Sequence, residues 1–227
     1  MTRKLVAEFL GSALLTAVVV GSGIAASRLS PNDVGLQLLE NALATALGLA
    51  VLIAVFATVS GAHFNPVVSL VDAVLGNRPW RHALTYIPAQ IAGCVGGAIL
   101  ANLMFGEPTI ALSSTDRLTP AHFLAEIVAT AGLVLVIFAL ARSDRAALIP
   151  WAVGAYIGAA YFFTSSTSFA NPAITIGRMF SDTFAGIAPT SAPGFIAAQL
   201  VGAALGVALV RWMFPRAATA AVTDGTT

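Results

Sequence analysis

The chain has 227 residues, 58% hydrophobic and only 9% charged, with a net charge of +1 and a mean hydropathy of +0.88. A soluble domain carries about 25% charged residues, so a water-soluble globule is excluded, and the balanced charge leaves no basic surface for nucleic acid. The single cysteine excludes a disulfide framework and a cysteine-based zinc site.

Arg3 and Lys4 precede the first apolar run, Leu5–Ala26. That run exceeds the ~7–15 residues of a signal-peptide core, so it is predicted to stay as a membrane span. Five more runs follow: Leu36–Val59, Ala83–Met104, Phe123–Ala141, Ala147–Thr164 and Phe195–Phe214. Each is near the ~20 residues that a bilayer requires. Two shorter apolar runs, after Asn65 and Asn171, cannot span and read as loops, re-entrant segments or surface helices. Gly21-Ser22-Gly23-Ile24-Ala25-Ala26 has the letters of a dinucleotide fingerprint, but it follows a span rather than a strand and is set aside.

With six spans, one face holds both termini and Arg3, Lys4, Arg78, Arg81, Arg142, Arg145, Arg211 and Arg216; the other holds only Arg28, Arg117 and Arg178. Basic residues concentrate on the cytoplasmic side, which predicts that both termini lie there, in the inner (plasma) membrane.

Internal similarity sets the domain plan. Ala7-Glu8-Phe9 matches Ala125-Glu126-Ile127, Asn65-Pro66-Val67 matches Asn171-Pro172-Ala173, and Ala89-Gln90-Ile91-Ala92-Gly93 matches Ala198-Gln199-Leu200-Val201-Gly202, at offsets of 118, 106 and 109. Each half holds three spans, so the halves enter from opposite faces as an inverted repeat, and paired interruptions in such a repeat point to a transport site at the midplane. The expectation is one all-α channel domain: six transmembrane helices plus two re-entrant half-helices, in repeats 5–110 and 121–216, with a short polar tail at 217–227. Asparagine is a favoured N-cap and proline a favoured first helical residue, so Asn65 and Asn171 are expected to start half-helices.

The segments Ser60-Gly61-Ala62-His63-Phe64-Asn65-Pro66-Val67 and Ser168-Phe169-Ala170-Asn171-Pro172-Ala173 resemble the two signature loops of the aquaporin (major intrinsic protein) family. The resemblance implies that the two half-helix N-termini meet back to back. Each carries about half a positive charge, which together would repel cations and hydronium. The Asn amides would donate to a passing oxygen, and the backbone of Gly61, Ala62, His63, Phe64, Phe169 and Ala170 would line the pore with acceptors. Val67 stands where the family usually has alanine, and a small packing adjustment is expected. The resemblance also implies a homotetramer with one pore per subunit, in contact with the lipid bilayer.

The family's narrow ring usually combines an aromatic residue, often a histidine, and an arginine three residues after the second Asn. Here that position is Ile174; counting without gaps puts Thr45, Ala159 and Ser168 at the others. A ring of Thr45, Ala159, Ser168 and Ile174 lacks aromatic, His and Arg, and predicts a wide, uncharged mouth. The pattern is similar to bacterial aquaglyceroporin-like channels associated with arsenic handling. It implies passage of small neutral solutes: water, glycerol-like polyols and metalloid hydroxides such as arsenite or methylated arsenicals. A water-selective pore is the alternative.

Arg178 is read as an anchor at the end of the second half-helix, near headgroups or Asp182, rather than as a stand-in for the missing arginine. Glu8 and Glu126 sit just inside spans, where a carboxylate is costly; they are read as acceptors that hold the re-entrant loops. A secondary transporter using Glu8 and Glu126 for coupling is a further alternative. His63 is expected to brace its loop and Cys94 to pack as a small residue. No catalytic constellation, metal site or cofactor is expected.

Overall fold

The computed structural model describes residues 1–215; Arg216 and the predicted tail at 217–227 lie outside the described residues. The described chain is helical and without strands, as expected. Its long helices are α1 (Thr2–Leu29), α2 (Val34–Phe56), α4 (Trp80–Phe105), α5 (Pro120–Arg142), α6 (Ile149–Phe163, after a 3-10 turn at Ala146–Leu148) and α8 (Ala192–Met213), and α3 (Pro66–Val74) and α7 (Pro172–Gly177) are short. Those six are long and apolar enough to cross a membrane. They coincide with the six apolar runs and extend a few residues past most of their ends, where Asp33 and Thr119 cap α2 and α5 through side-chain oxygens.

The core combines a buried apolar cluster, with Val20, Ile187 and Phe195 among its members, with buried polar groups. Glu8, Thr16, Gln90, Glu126, Thr130 and Gln199 are fully buried, whereas Leu39, Leu43, Leu47, Val51 and Val55 form an exposed stripe along α2. Lipid cannot satisfy polar groups, so those groups turn inward. The halves repeat one plan: α1 packs most extensively against α4, and α5 against α8.

Small residues permit those two crossings. A Cβ on Gly93 would meet the carbonyl oxygen of Phe9, one on Gly97 that of Ala13, and one on Gly202 that of Ile127. Backbone lies at each contact, and small residues are what let membrane helices approach so closely. Gly97→Ala is therefore expected to destabilise the protein by about 1–3 kcal/mol, read as a lower melting temperature of the purified channel. Gly96→Ala is the matched control: nothing lies within 4 Å of its added carbon, and helix propensity favours alanine by about 1 kcal/mol.

α3 and α7 each start near the centre and leave toward opposite faces. Arg211, at the end of α8, donates to the Val74 carbonyl at the end of α3 (3.0 Å). Asn102, at the far end of α4, donates to the Phe180 carbonyl just past α7 (3.0 Å).

Candidate pore and its two loops

The segments entering α3 and α7 share one unusual backbone. Gly61, Ala62 and Phe64 have φ of 96°, 50° and 50°; Thr167, Ser168 and Ala170, each 106 residues on, have φ of 60°, 51° and 47°. Left-handed conformations cost a non-glycine residue roughly 1–2 kcal/mol each, so something must hold them.

That role falls to the two buried carboxylates. Glu8 accepts from Ser60 Oγ (2.6 Å), the His63 N–H (3.0 Å), the Phe64 N–H (2.7 Å) and Gln90 Nε2 (2.7 Å). Glu126 accepts from Ser166 Oγ (2.6 Å), the Phe169 N–H (2.9 Å), the Ala170 N–H (2.9 Å) and Gln199 Nε2 (2.7 Å). Each carboxylate thus takes two successive backbone N–H groups of its own half's loop. The glutamines are tied further, Gln90 to Ser69 Oγ (2.9 Å) and Gln199 to Thr175 Oγ1 (3.0 Å), which joins each clamp to the half-helix behind it.

The Asn pair works in two directions. Asn65 Oδ1 accepts from the Val67 N–H (2.9 Å), and Asn171 Oδ1 accepts from the Ala173 and Ile174 N–H groups (2.9 and 3.2 Å), which caps both half-helices. Their amide nitrogens cross over: Asn65 Nδ2 donates to the Ala170 carbonyl and Asn171 Nδ2 to the Phe64 carbonyl, both at 2.8 Å. One hydrogen of each NH2 locks the loops together, and the second remains for another acceptor. Pro66 and Pro172 occupy the first helical positions; Val67 is fully buried against Val68, Val71 and Val134.

A single cavity of about 510 Å³ runs past this junction, from Asn77, Arg78 and Arg142 near one mouth to Tyr161 and Arg178 near the other. Gly61, Ala62, His63, Asn65, Ser168, Phe169, Ala170 and Asn171 all line it. Among the described residues nothing donates to the carbonyls of Gly61, Ala62, His63, Ser168 or Phe169. They stand as a ladder of open acceptors. Phe64 lies behind the wall, buried in edge contact with Phe56.

Of the four ring positions inferred by counting, Thr45, Ser168 and Ile174 line the cavity. Ala159 does not: it is exposed on the outer surface of α6, and that helix faces the cavity with Val153, Ile157 and Tyr161. The cause is helical phase. Residues four apart share a face, and Ala159 is two residues from both Ile157 and Tyr161. Tyr161 and Thr45 are hydrogen-bonded to each other on the cavity wall where α2 packs against α6 (3.1 Å between hydroxyl oxygens).

Arg178 requires a second correction. It is 3% exposed and lies neither among headgroups nor on Asp182. Its Nε donates to the Ala185 carbonyl, and its guanidinium lies 3.5 Å from the Phe169 ring centroid. Since Tyr161, Phe169 and Arg178 all line the cavity, the mouth carries aromatic groups and a cation that counting from Asn171 leaves out. Asp182 instead accepts from the Ser114 backbone N–H (2.9 Å) and hydroxyl (3.0 Å), which hold its carboxyl below the usual carboxylate range.

At the mouth on the side of the termini, His63 bridges Ser69 Oγ (3.0 Å) and Asp72 Oδ2 (3.3 Å), and Arg78 Nε pairs with the same oxygen of Asp72 (3.0 Å). Arg78 also donates to the Ser60 carbonyl, so the ion pair anchors the foot of the first loop. Cys94 is fully buried against Ser12 and away from the cavity.

Six apolar helices around a cavity that threads two capped half-helices define an integral membrane protein of the channel class. The chain belongs to the major intrinsic protein family, whose family model matches residues 1–170. It is 50% identical to the aquaglyceroporin AqpS of Rhizobium meliloti, across 94% of this chain and 91% of that protein. It is 31% identical to a glycerol uptake facilitator protein of Streptococcus pneumoniae, across 94% of this chain and 99% of the relative. Among solved structures it is similar in fold to the aquaglyceroporin from Plasmodium falciparum, with a TM-score of 0.72 and 22% identity over 92% of this chain and 95% of that one.

Proposed function

We propose that the protein conducts small neutral solutes passively: water, glycerol-like polyols and undissociated metalloid hydroxides such as arsenite or its methylated forms. The observation that carries this reading is the cavity past the paired loops, lined by both apolar side chains and hydrogen-bonding groups. Ile157, Ile174 and Leu49 suit the carbon side of a polyol; Thr45, the free carbonyls and the spare Asn hydrogens suit its hydroxyls. The names of the relatives, an aquaglyceroporin and a glycerol uptake facilitator, support the same substrate class. The constriction is formed by Thr45, Ser168 and Ile174 with Tyr161 in the place first inferred for Ala159. Arg178 and Tyr161 at the mouth favour, as a second reading, a tighter pore that passes mainly water.

Glu8 and Glu126 act as loop scaffolds in this proposal, because all four donors to each come from the structure that they hold. That leaves neither as a coupling site. The remaining parts are cytoplasmic termini, supported by the basic residues on that face, and a homotetramer with one pore per subunit.

Cation exclusion rests on the two half-helix N-termini and the Asn amides. Asn171→Asp removes a donor and places a carboxylate there, and is expected to raise proton leak about tenfold, the equivalent of about 1.4 kcal/mol of barrier. A pH-sensitive dye in proteoliposomes reads the leak; a variant as proton-tight as wild type would sink the central barrier. For the substrate class, spheroplasts expressing the channel should swell in iso-osmotic glycerol and not in mannitol, and failure to swell in either would count against it.

A further inference from the structure

We propose that the mouth beside Arg178 holds a binding site for a small monovalent oxyanion, formed by Arg178 and Arg117. The two side chains flank a separate pocket of about 200 Å³, which Thr167 and Asn41 also line. Both guanidiniums share one aromatic ring, at 3.5 Å (Arg178) and 5.6 Å (Arg117) from the Phe169 centroid.

Neither cation has a carboxylate partner among the described residues, where the ion pairs are Arg28–Glu107, His63–Asp72 and Arg78–Asp72. The acids nearest in sequence are engaged elsewhere. Asp116 takes the Ser191 hydroxyl and the Leu118 N–H, and Asp182 takes Ser114. Arg178 uses only its Nε, on Ala185, and its terminal nitrogens have no described protein partner. Arg117 uses Nε on Gly186 (2.6 Å) and Nη2 on Phe184 (2.9 Å).

A buried charge is costly unless paired, and two like charges over one ring add to that cost. An anion between them offsets both. The planar donor fork of a guanidinium suits an oxyanion, which it binds through paired N–H groups. The volume holds a three-oxygen anion with a water or two, at ~30 Å³ per liquid water. Asn41 gives its amide hydrogens to the Val19 carbonyl and Ser22 Oγ, so recognition falls to the two cations, beside the Thr167 hydroxyl that also lines the pocket.

Binding stands on the mouth alone; only its effect on flux rests on the cavity being the conducting path. The test uses the purified full-length channel and sodium nitrate, with sodium gluconate at equal ionic strength as the excluded-anion control. Nitrate is expected to raise the melting temperature progressively with the logarithm of its concentration, by about 3–6 °C at ten times its dissociation constant, and gluconate is not. The shift should vanish in Arg178→Gln and shrink severalfold in Arg178→Lys, which keeps the charge and loses the fork. Arg117→Gln serves as the second variant if Arg178→Gln does not fold. Glycerol uptake into proteoliposomes should fall over the same nitrate range in wild type only. No shift in wild type, or an equal shift in folded Arg178→Gln, overturns the site. A nitrate shift that leaves glycerol uptake unchanged supports the site and instead counts against the cavity as the path.

Discussion

Glu126→Ala is expected to abolish the folded channel. The substitution strands the Ser166 hydroxyl, the N–H groups of Phe169 and Ala170, and one hydrogen of the Gln199 amide, whose nitrogen keeps its bond to Thr175 Oγ1, all of them in the buried interior. Each stranded donor costs about 1–3 kcal/mol, and the sum rivals the ~5–15 kcal/mol by which a domain is stable. The left-handed residues Ser168 and Ala170 would also lose what holds them. Size-exclusion profiles of detergent extracts check this, and a normal monodisperse peak for Glu126→Ala would contradict it. Glu126→Gln and Glu8→Gln keep one good acceptor but turn an NH2 toward backbone donors. They should lower the yield of folded protein and leave the pH profile of flux unchanged. Flux that depends steeply on pH in wild type and loses that dependence in Glu8→Gln would favour the transporter alternative.

Ile174→Arg is expected to have the largest effect on selectivity. Ile174 lies on the cavity wall one helical turn before Arg178. A second guanidinium there narrows the passage, replaces an apolar surface with a strongly hydrated one and adds a like charge at four-residue spacing. Glycerol permeability should fall about tenfold, corresponding to about 1.4 kcal/mol of added barrier, with water permeability held to within about twofold. Stopped-flow light scattering separates the two. Unchanged glycerol flux in a folded Ile174→Arg channel would place the constriction elsewhere.

Much of the architecture was legible because the bilayer imposes it. A span needs about 20 apolar residues, so hydropathy alone marked the six long helices, and Asn-Pro marked the starts of α3 and α7 through capping chemistry. Positions around the mouth were less accessible. Counting back from Asn171 assumes a fixed loop length, and an error of two residues turns a helical side chain from cavity to outer surface, which separates Ala159 from Tyr161. The period from Val153 through Ile157 to Tyr161 was the signal that could have found the right face. Arg178 was harder to place. Its position depends on folding back over Phe169 and reaching the Ala185 carbonyl, and both contacts come from segments whose spatial relation no local pattern encodes.

The mouth now combines an aliphatic wall at Ile174 with an arginine displaced by one turn. Both residues line the cavity, so in the proposed function selectivity depends on Ile174 and Arg178 together.

The most direct measurement is stopped-flow light scattering on proteoliposomes of the wild-type channel, comparing water, glycerol and trihydroxy-arsenic permeation with protein-free liposomes. Protein-dependent permeation of all three is expected, with a weak temperature dependence that marks a pore. Fast water with glycerol and the arsenic species held to the liposome background would contradict it. In that case Arg178, Tyr161 and Phe169 close the mouth to everything larger than water.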